Sequence, residues 1–212
     1  MGSDADVFRF QAAAFPDLMV PTWIDPKVGE SLESYAERLS REIDPGVPCI
    51  VGGLSFGGML ATEVAKHLDA KGCILISTVR KPEELPRRVR LWVALGKFVP
   101  MVCIRFGQMI APFIANVLGP ILPGQRGELL RQYNRSSTFF IWWAIRAIDS
   151  WHSSPKKFAG KTFQIHGSKD WTIPPSRATE AEIIEGAGHV LTLAHPEEVN
   201  SHIRNILSEI EG

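Results

Sequence analysis

The sequence predicts an α/β fold: a mostly parallel central sheet with helices on both faces, interrupted by an inserted helical subdomain. Two patterns carry that prediction. Short β-rich apolar runs alternate with stretches whose apolar residues recur at helical spacing, and this alternation builds a parallel sheet covered on both sides. Between residues 80 and 155 the alternation stops, and long helical patterns with several prolines replace it. Residues 1–79 and 156–212 are therefore assigned to the core, and 80–155 to the insertion.

Each element has its own reason. Residues 1–14 open with the polar turn Gly2-Ser3-Asp4-Ala5-Asp6 and hold no strand, whereas 18–23 read as a short strand. Ser31 can cap a helix whose apolar face is Leu32, Tyr35, Ala36, Leu39 and Ile43, and Asp44-Pro45-Gly46 ends it. An apolar strand at 48–54 then runs into Gly53-Leu54-Ser55-Phe56-Gly57 and at once into a second helix. That helix presents Leu60, Ala61, Val64, Ala65 and Leu68 on one face, with Gly72 as its expected C-cap. Residues 73–79 form a continuous β-rich run, as a strand covered on both faces should be. After the insertion, strands at 161–166 and 181–184 lead into Gly167-Ser168-Lys169-Asp170 and Gly186-Ala187-Gly188-His189. A C-terminal helix buries Val199, Ile203, Ile206, Leu207 and Ile210.

Composition narrows the class. Lys+Arg and Asp+Glu both number 23, so nothing in the charge balance favours nucleic acid. Cys49, Cys73 and Cys103 lack metal or redox spacing and read as small apolar residues. Their odd number, with no signal-peptide pattern at the start, points to the cytoplasm. The most apolar stretch, 91–122, is broken by Lys97, Pro100, Arg105, Gln108, Pro112 and Asn116, too often for a membrane span. Arg87, Arg88 and Arg90 read as a solvated helix face, with an anionic head-group site as the alternative.

The chemistry gathers at strand ends. Glycines two before and two after Ser55 allow a strand–turn–helix elbow too tight for side chains, which lifts the hydroxyl clear at a helix N-terminus. A glycine-rich turn that merely contains a serine is the alternative. Serine needs a base to take its proton, and the base needs an orienting carboxylate. His189, in a glycine-flanked loop, and Asp170, just after a strand, fit those needs, with Asp149 in reserve. His67, His152, His166, His195 and His202 read as structural or surface residues. No P-loop, G-x-G-x-x-G or metal-ligand spacing is present, so neither a cofactor nor a metal is expected.

On Gly53-Leu54-Ser55-Phe56-Gly57, His166-Gly167-Ser168-Lys169-Asp170 and Gly186-Ala187-Gly188-His189, in that order, the chain resembles the α/β-hydrolase superfamily over nearly its whole length. The resemblance implies Ser55 as nucleophile, His189 as general base and Asp170 as its orienting acid. It also implies the backbone N–H of Phe56 as one oxyanion donor. Serine in this place argues against relatives that use aspartate there. The insertion resembles the helical cap of many such hydrolases, and its aromatic content would suit a hydrophobic acyl or alkyl pocket. Trp142, Trp143 and Trp171 are the substrate-binding candidates, the alternative being that such residues form the cap's own core. The superfamily carries a further strand ahead of the loop that supplies the second oxyanion N–H. Gly2-Ser3-Asp4-Ala5-Asp6 resembles that loop without the strand. Gly2 or Ser3 is thus expected as second donor, in an N-terminally abbreviated fold with an open sheet edge suited to a homodimer and with weak activity.

The expected function is a serine hydrolase cleaving a small hydrophobic carboxylic ester through an acyl-enzyme. Thioesters, lactones and acyl transfer use the same three residues. The alternative from another class is a catalytically silent fold of this type, acting as a ligand-binding or interaction module.

Overall fold

Parallel strand pairing sets the frame on which every site residue is carried. The computed structural model describes residues 5–118, 136–152, 158–175 and 180–211. Within them, β1 (Cys49–Leu54), β2 (Ala70–Ile76), β3 (Lys161–Gly167) and β4 (Glu182–Ile184) form one sheet in the order β1-β2-β3-β4, parallel throughout. Leu54 lies opposite Ile76, Ile76 opposite Ile165, and Gly167 opposite Ile184. The carboxyl ends of the strands are therefore level, and the segments that follow β1, β3 and β4 emerge along one rim. Ligand sites of open parallel sheets lie along that rim.

Alternation within β2 shows how the two faces are filled, because successive side chains point to opposite sides. Cys73 and Leu75 pack with Ala61 and Ala65, while Ile74 and Ile76 pack with Ile165, Ile184, Leu191, Val199 and Ile206. Burial pushes the Cys73 thiol up to about 12 and raises that of Cys49, so both stay protonated. On the first face lie α2 (Leu32–Ile43) and α3 (Phe56–Val64). Ser31 caps α2 as expected, its Oγ accepting from the Ser34 N–H at 3.2 Å. On the second face are α7 (Leu191–Ala194) and α8 (Pro196–Glu211), with α1 (Arg9–Ala14) held on α8 by a buried bond from Gln11 Nε2 to Asn200 Oδ1.

Two expectations fail here for identifiable reasons. Residues 18–23 are irregular rather than a strand: Pro21 cannot donate to a ladder, Met19 is exposed, and Trp23 turns to stack near Phe140 instead. Gly72 is not a helix cap but a residue of β2. α3 ends at Val64, and the space beside Gly72 is taken by the tip of Ile210, 2.7 Å from where a Cβ would sit.

The remaining helices are α4 (Arg87–Gly96), α5 (Met101–Leu118) and α6 (Thr138–Asp149). Among the described residues no helix is long and apolar enough to cross a membrane. The inner face of α6 joins the core above α2 and α3. Trp143 is only 2% exposed, its ring centroid lies 4.4 Å from Tyr35 and 6.0 Å from Phe56, and its Nε1–H donates to the Glu30 carbonyl at 2.7 Å. Trp151 likewise donates from Nε1 to Glu63 Oε1 at 2.9 Å. Large rings with their single polar atom paired supply area at no polar cost. Trp143→Ala is accordingly expected to lower the unfolding free energy by about 3–5 kcal/mol in urea titration. A loss under about 1 kcal/mol would show that this seat is unimportant.

Candidate functional site

The turn between β1 and α3 is built around one strained residue. Ser55 has φ 55° and ψ −119°, a backbone conformation costing an L-residue about 1–3 kcal/mol. Three contacts hold it there. Its N–H donates to the Ile76 carbonyl (2.9 Å), and its own carbonyl accepts from Thr78 Oγ1 (2.7 Å) and from the Gly58 N–H (3.0 Å). Two glycines make the turn passable. A Cβ on Gly53 would lie 2.3 Å from the Gly57 carbonyl, and one on Gly58 only 2.2 Å from Thr78 Cγ2. Gly57, by contrast, would meet nothing nearer than the Trp23 ring at 3.8 Å. The close approach expected at Gly57 therefore falls one residue later, because Gly58 faces β1 and the segment after β2 while Gly57 faces outward.

Thr78, fully buried, escaped the sequence reading. The available signal was a polar Ser-Thr pair closing an apolar run level with the elbow.

Two further loops meet Ser55 from the neighbouring strand ends. After β3, Asp170 is buried, and its Oδ1 accepts from the backbone N–H groups of Thr172 (2.8 Å) and Ile173 (2.9 Å). After β4, Gly186 turns at φ +77° and carries the chain to His189. His189 Nδ1 lies 2.7 Å from Asp170 Oδ2, and Nε2 lies 2.9 Å from Ser55 Oγ. A carboxylate can only accept, so in the neutral ring Nδ1 carries the hydrogen and Nε2 is left to accept from the serine hydroxyl. The two loops are pressed together. Lys169 N–H donates to the Ala187 carbonyl at 2.9 Å, and a Cβ on Gly167 would collide with that same oxygen at 2.3 Å.

The other candidates are placed as follows. Phe56 is the first residue of α3, so its N–H belongs to the set a helix leaves without internal partners; its ring is buried among Trp23, Phe140 and Trp143. Gly2 and Ser3 lie outside the described residues. Trp143 is buried among Tyr35, Phe56 and Phe140, the core position that was the alternative to a pocket wall. Trp142 is half-buried beneath the Arg146 guanidinium, 3.6 Å from its ring centroid. Trp171 follows Asp170 directly and is 70% exposed, with the Arg88 guanidinium 4.8 Å above it. Asp149 pairs with Lys97 at 2.8 Å, on a helix remote in sequence from either loop. Among the described residues, no group of three or more His, Cys, Asp or Glu could hold a metal ion.

His166, read from sequence as structural or surface, is buried at the end of β3. Desolvation holds its pKa below the ordinary 6.5, against the opposing field of Asp170. In the unfolded chain it binds a proton below about 6.5, in the folded chain only at lower pH, so stability falls as pH drops through that window. The melting temperature of the native protein should therefore fall between about pH 7 and pH 5, and His166→Gln should flatten that fall; equal slopes would refute it. The elbow gives a second test. Gly58→Ala should destabilise by about 1–3 kcal/mol through overpacking, while Gly57→Ala should be neutral or mildly stabilising in thermal melts. Equal losses at both positions would contradict the close approach at Gly58.

Comparison with known proteins agrees with this architecture. The sequence pattern of the "Alpha/beta hydrolase family" matches residues 2–202. Similar solved structures include an esterase from Thermogutta terrifontis, with TM-score 0.71 and 16% identity over 99% of this chain and 87% of that one. MenH from S. aureus has TM-score 0.69 and 16% identity, covering 99% and 91%. A meta-cleavage product hydrolase from Pseudomonas fluorescens has TM-score 0.65 and 17% identity, covering 97% and 85%. At such identities the likeness is one of fold. No curated protein sequence matches. A parallel sheet with helices on both faces, and a family match across almost all of its length, establish that the chain belongs to the alpha/beta hydrolase family.

Proposed function

We propose that the protein is a serine hydrolase that cleaves carboxylic esters with an apolar portion. The observation that carries this reading is the continuous relay from Asp170 Oδ2 through His189 to Ser55 Oγ, with links of 2.7 and 2.9 Å. In it, His189 Nε2 takes the hydroxyl proton as Ser55 Oγ attacks the ester carbonyl carbon, and Asp170 stabilises the imidazolium that forms. The negative charge reaches the carbonyl oxygen beside the N-terminus of α3. There the Phe56 N–H is one donor, and Gly2 or Ser3 is the proposed second. Collapse expels the alcohol, which takes the proton back from His189. Water, deprotonated in turn by His189, then releases the acid and restores Ser55.

Residues 80–155 act in this reading as a cap over a core made of 1–79 and 156–212, with Trp142 and Trp171 on the substrate side. Three free cysteines support a cytoplasmic setting.

A fluorophosphonate probe tests the proposal, since it reacts with an activated serine. Labelling and hydrolysis of a short-chain ester are expected in the native protein. Ser55→Ala should abolish both, with a loss in kcat of at least about a thousandfold. Folded protein that takes no label would instead support a ligand-binding module.

A further inference from the structure

The outward faces of α4 and α5 are apolar where a helix in contact with water would be polar. Over residues 101–111, where its side chains are described, α5 turns Ile104, Gln108 and Ala111 inward as one narrow stripe. On the opposite side Val102, Phe106 and Met109 are 72%, 62% and 65% exposed, and Trp92 (71%), Leu95 (62%) and Phe98 (76%) recur at helical spacing along α4 and just past its end. Large apolar side chains repeated along one side of each of two successive helices mark an interaction surface rather than the scattered apolar residues any protein shows.

Charge is segregated onto the same two helices. Residues 87–118 contain Arg87, Arg88, Arg90, Lys97 and Arg105 and no Asp or Glu, although the chain as a whole balances 23 against 23. Arg87, Arg90 and Arg105 are exposed beside the apolar side chains.

We propose that this face seats the protein on an anionic lipid surface, with α4 and α5 lying in the plane of the interface. Large aromatic and aliphatic side chains interleaved with arginines are the composition of helices that lie on, rather than cross, a bilayer. Neither helix is long and apolar enough to span one. A second copy of the chain fits less well, because a two-fold interface here would set the cation-rich stretch against itself. The face also reaches the site. Arg88 Nη2 donates to the carbonyl of Trp171, the neighbour of Asp170, so one end of α4 is fastened to the loop that orients His189. Resting on the hydrolase reading for this one point, the geometry makes the apolar ester a substrate that approaches from the lipid side.

The test is co-sedimentation of the full chain with vesicles of phosphatidylcholine alone and of phosphatidylcholine mixed with phosphatidylglycerol. Binding is expected only to the mixed vesicles, and it should weaken as salt is raised. The Phe98→Asp/Val102→Asp variant should lose at least about tenfold in partitioning while hydrolysing a short water-soluble ester like the native protein. Arg87→Glu/Arg105→Glu, which leaves the apolar residues intact, should lose the preference for anionic vesicles. The proposal is overturned if mixed vesicles bind no protein, if both variants bind as the native chain does, or if sedimentation velocity shows a dimer that Phe98→Asp dissociates. Ser55→Ala should bind as tightly as the native chain. Vesicle binding by a protein that hydrolyses no ester would sink the hydrolase reading and uphold this one.

Discussion

Everything at the site depends on keeping Ser55 at positive φ. A serine left free would relax from that conformation and gain about 1–3 kcal/mol. It does not, because two neighbouring strands restrain it at once. β2 supplies the Ile76 carbonyl that accepts the Ser55 N–H, and the segment after β2 supplies Thr78 Oγ1 to the Ser55 carbonyl. β3 contributes Gln164, whose Nε2 donates to the Thr78 carbonyl at 3.2 Å. Ser77 repeats the geometry beside it, at φ 48° with its N–H on the Ile165 carbonyl. Relaxing Ser55 would break bonds that close the sheet's rim. Its strain is therefore held by the fold rather than by the turn alone.

The same reasoning extends to Asp170 and His189. Their side chains have little freedom of their own: Asp170 Oδ1 is occupied by two backbone N–H groups, which leaves Oδ2 aimed at the imidazole. The two loops are bonded to each other at Lys169 and Ala187 and packed at Gly167. The separation of Asp170 and His189 is therefore set locally. Their distance from Ser55, in contrast, is set by the width of three strands. A parallel sheet is well suited to that task, because it brings residues far apart in sequence to a common rim with the precision of ladder hydrogen bonds.

What was legible in the sequence, and what was not, follows the same division between local and distant causes. The elbow, the Asp170 loop and the His189 loop were legible because each is announced by its own residues: glycines flanking a serine, an aspartate closing a strand, a histidine after Gly-Ala-Gly. Residues 18–23 were not legible because β-like composition does not reveal whether a neighbouring strand is there to pair with, and Pro21 lacks the N–H that a ladder needs. The shift from Gly57 to Gly58 could not be read at all. It depends on which Cβ direction meets Thr78, a residue of another element. Nor could His166 be recognised as buried, since a histidine ending a strand looks the same whether or not α-helical layers close over it.

The apolar side chains of α4, α5 and α6 point two ways. Their aromatic residues read from sequence either as a pocket lining or as a core, and the structure divides those described between core and surface. α6 turns Phe140, Trp143, Ala144 and Ile148 into the core over α2 and α3, where they stabilise the layer above the elbow. α4 and α5 turn theirs outward. Burial cannot explain that second group, and stability argues against its charge pattern, because gathering like charges on one short stretch destabilises a folded chain through mutual repulsion. An arrangement unfavourable to the isolated protein, both in exposed apolar area and in charge, becomes favourable only against a surface that is apolar and negative together. A lipid interface supplies both, and the link from Arg88 to Trp171 means that whatever α4 rests on is felt next to Asp170.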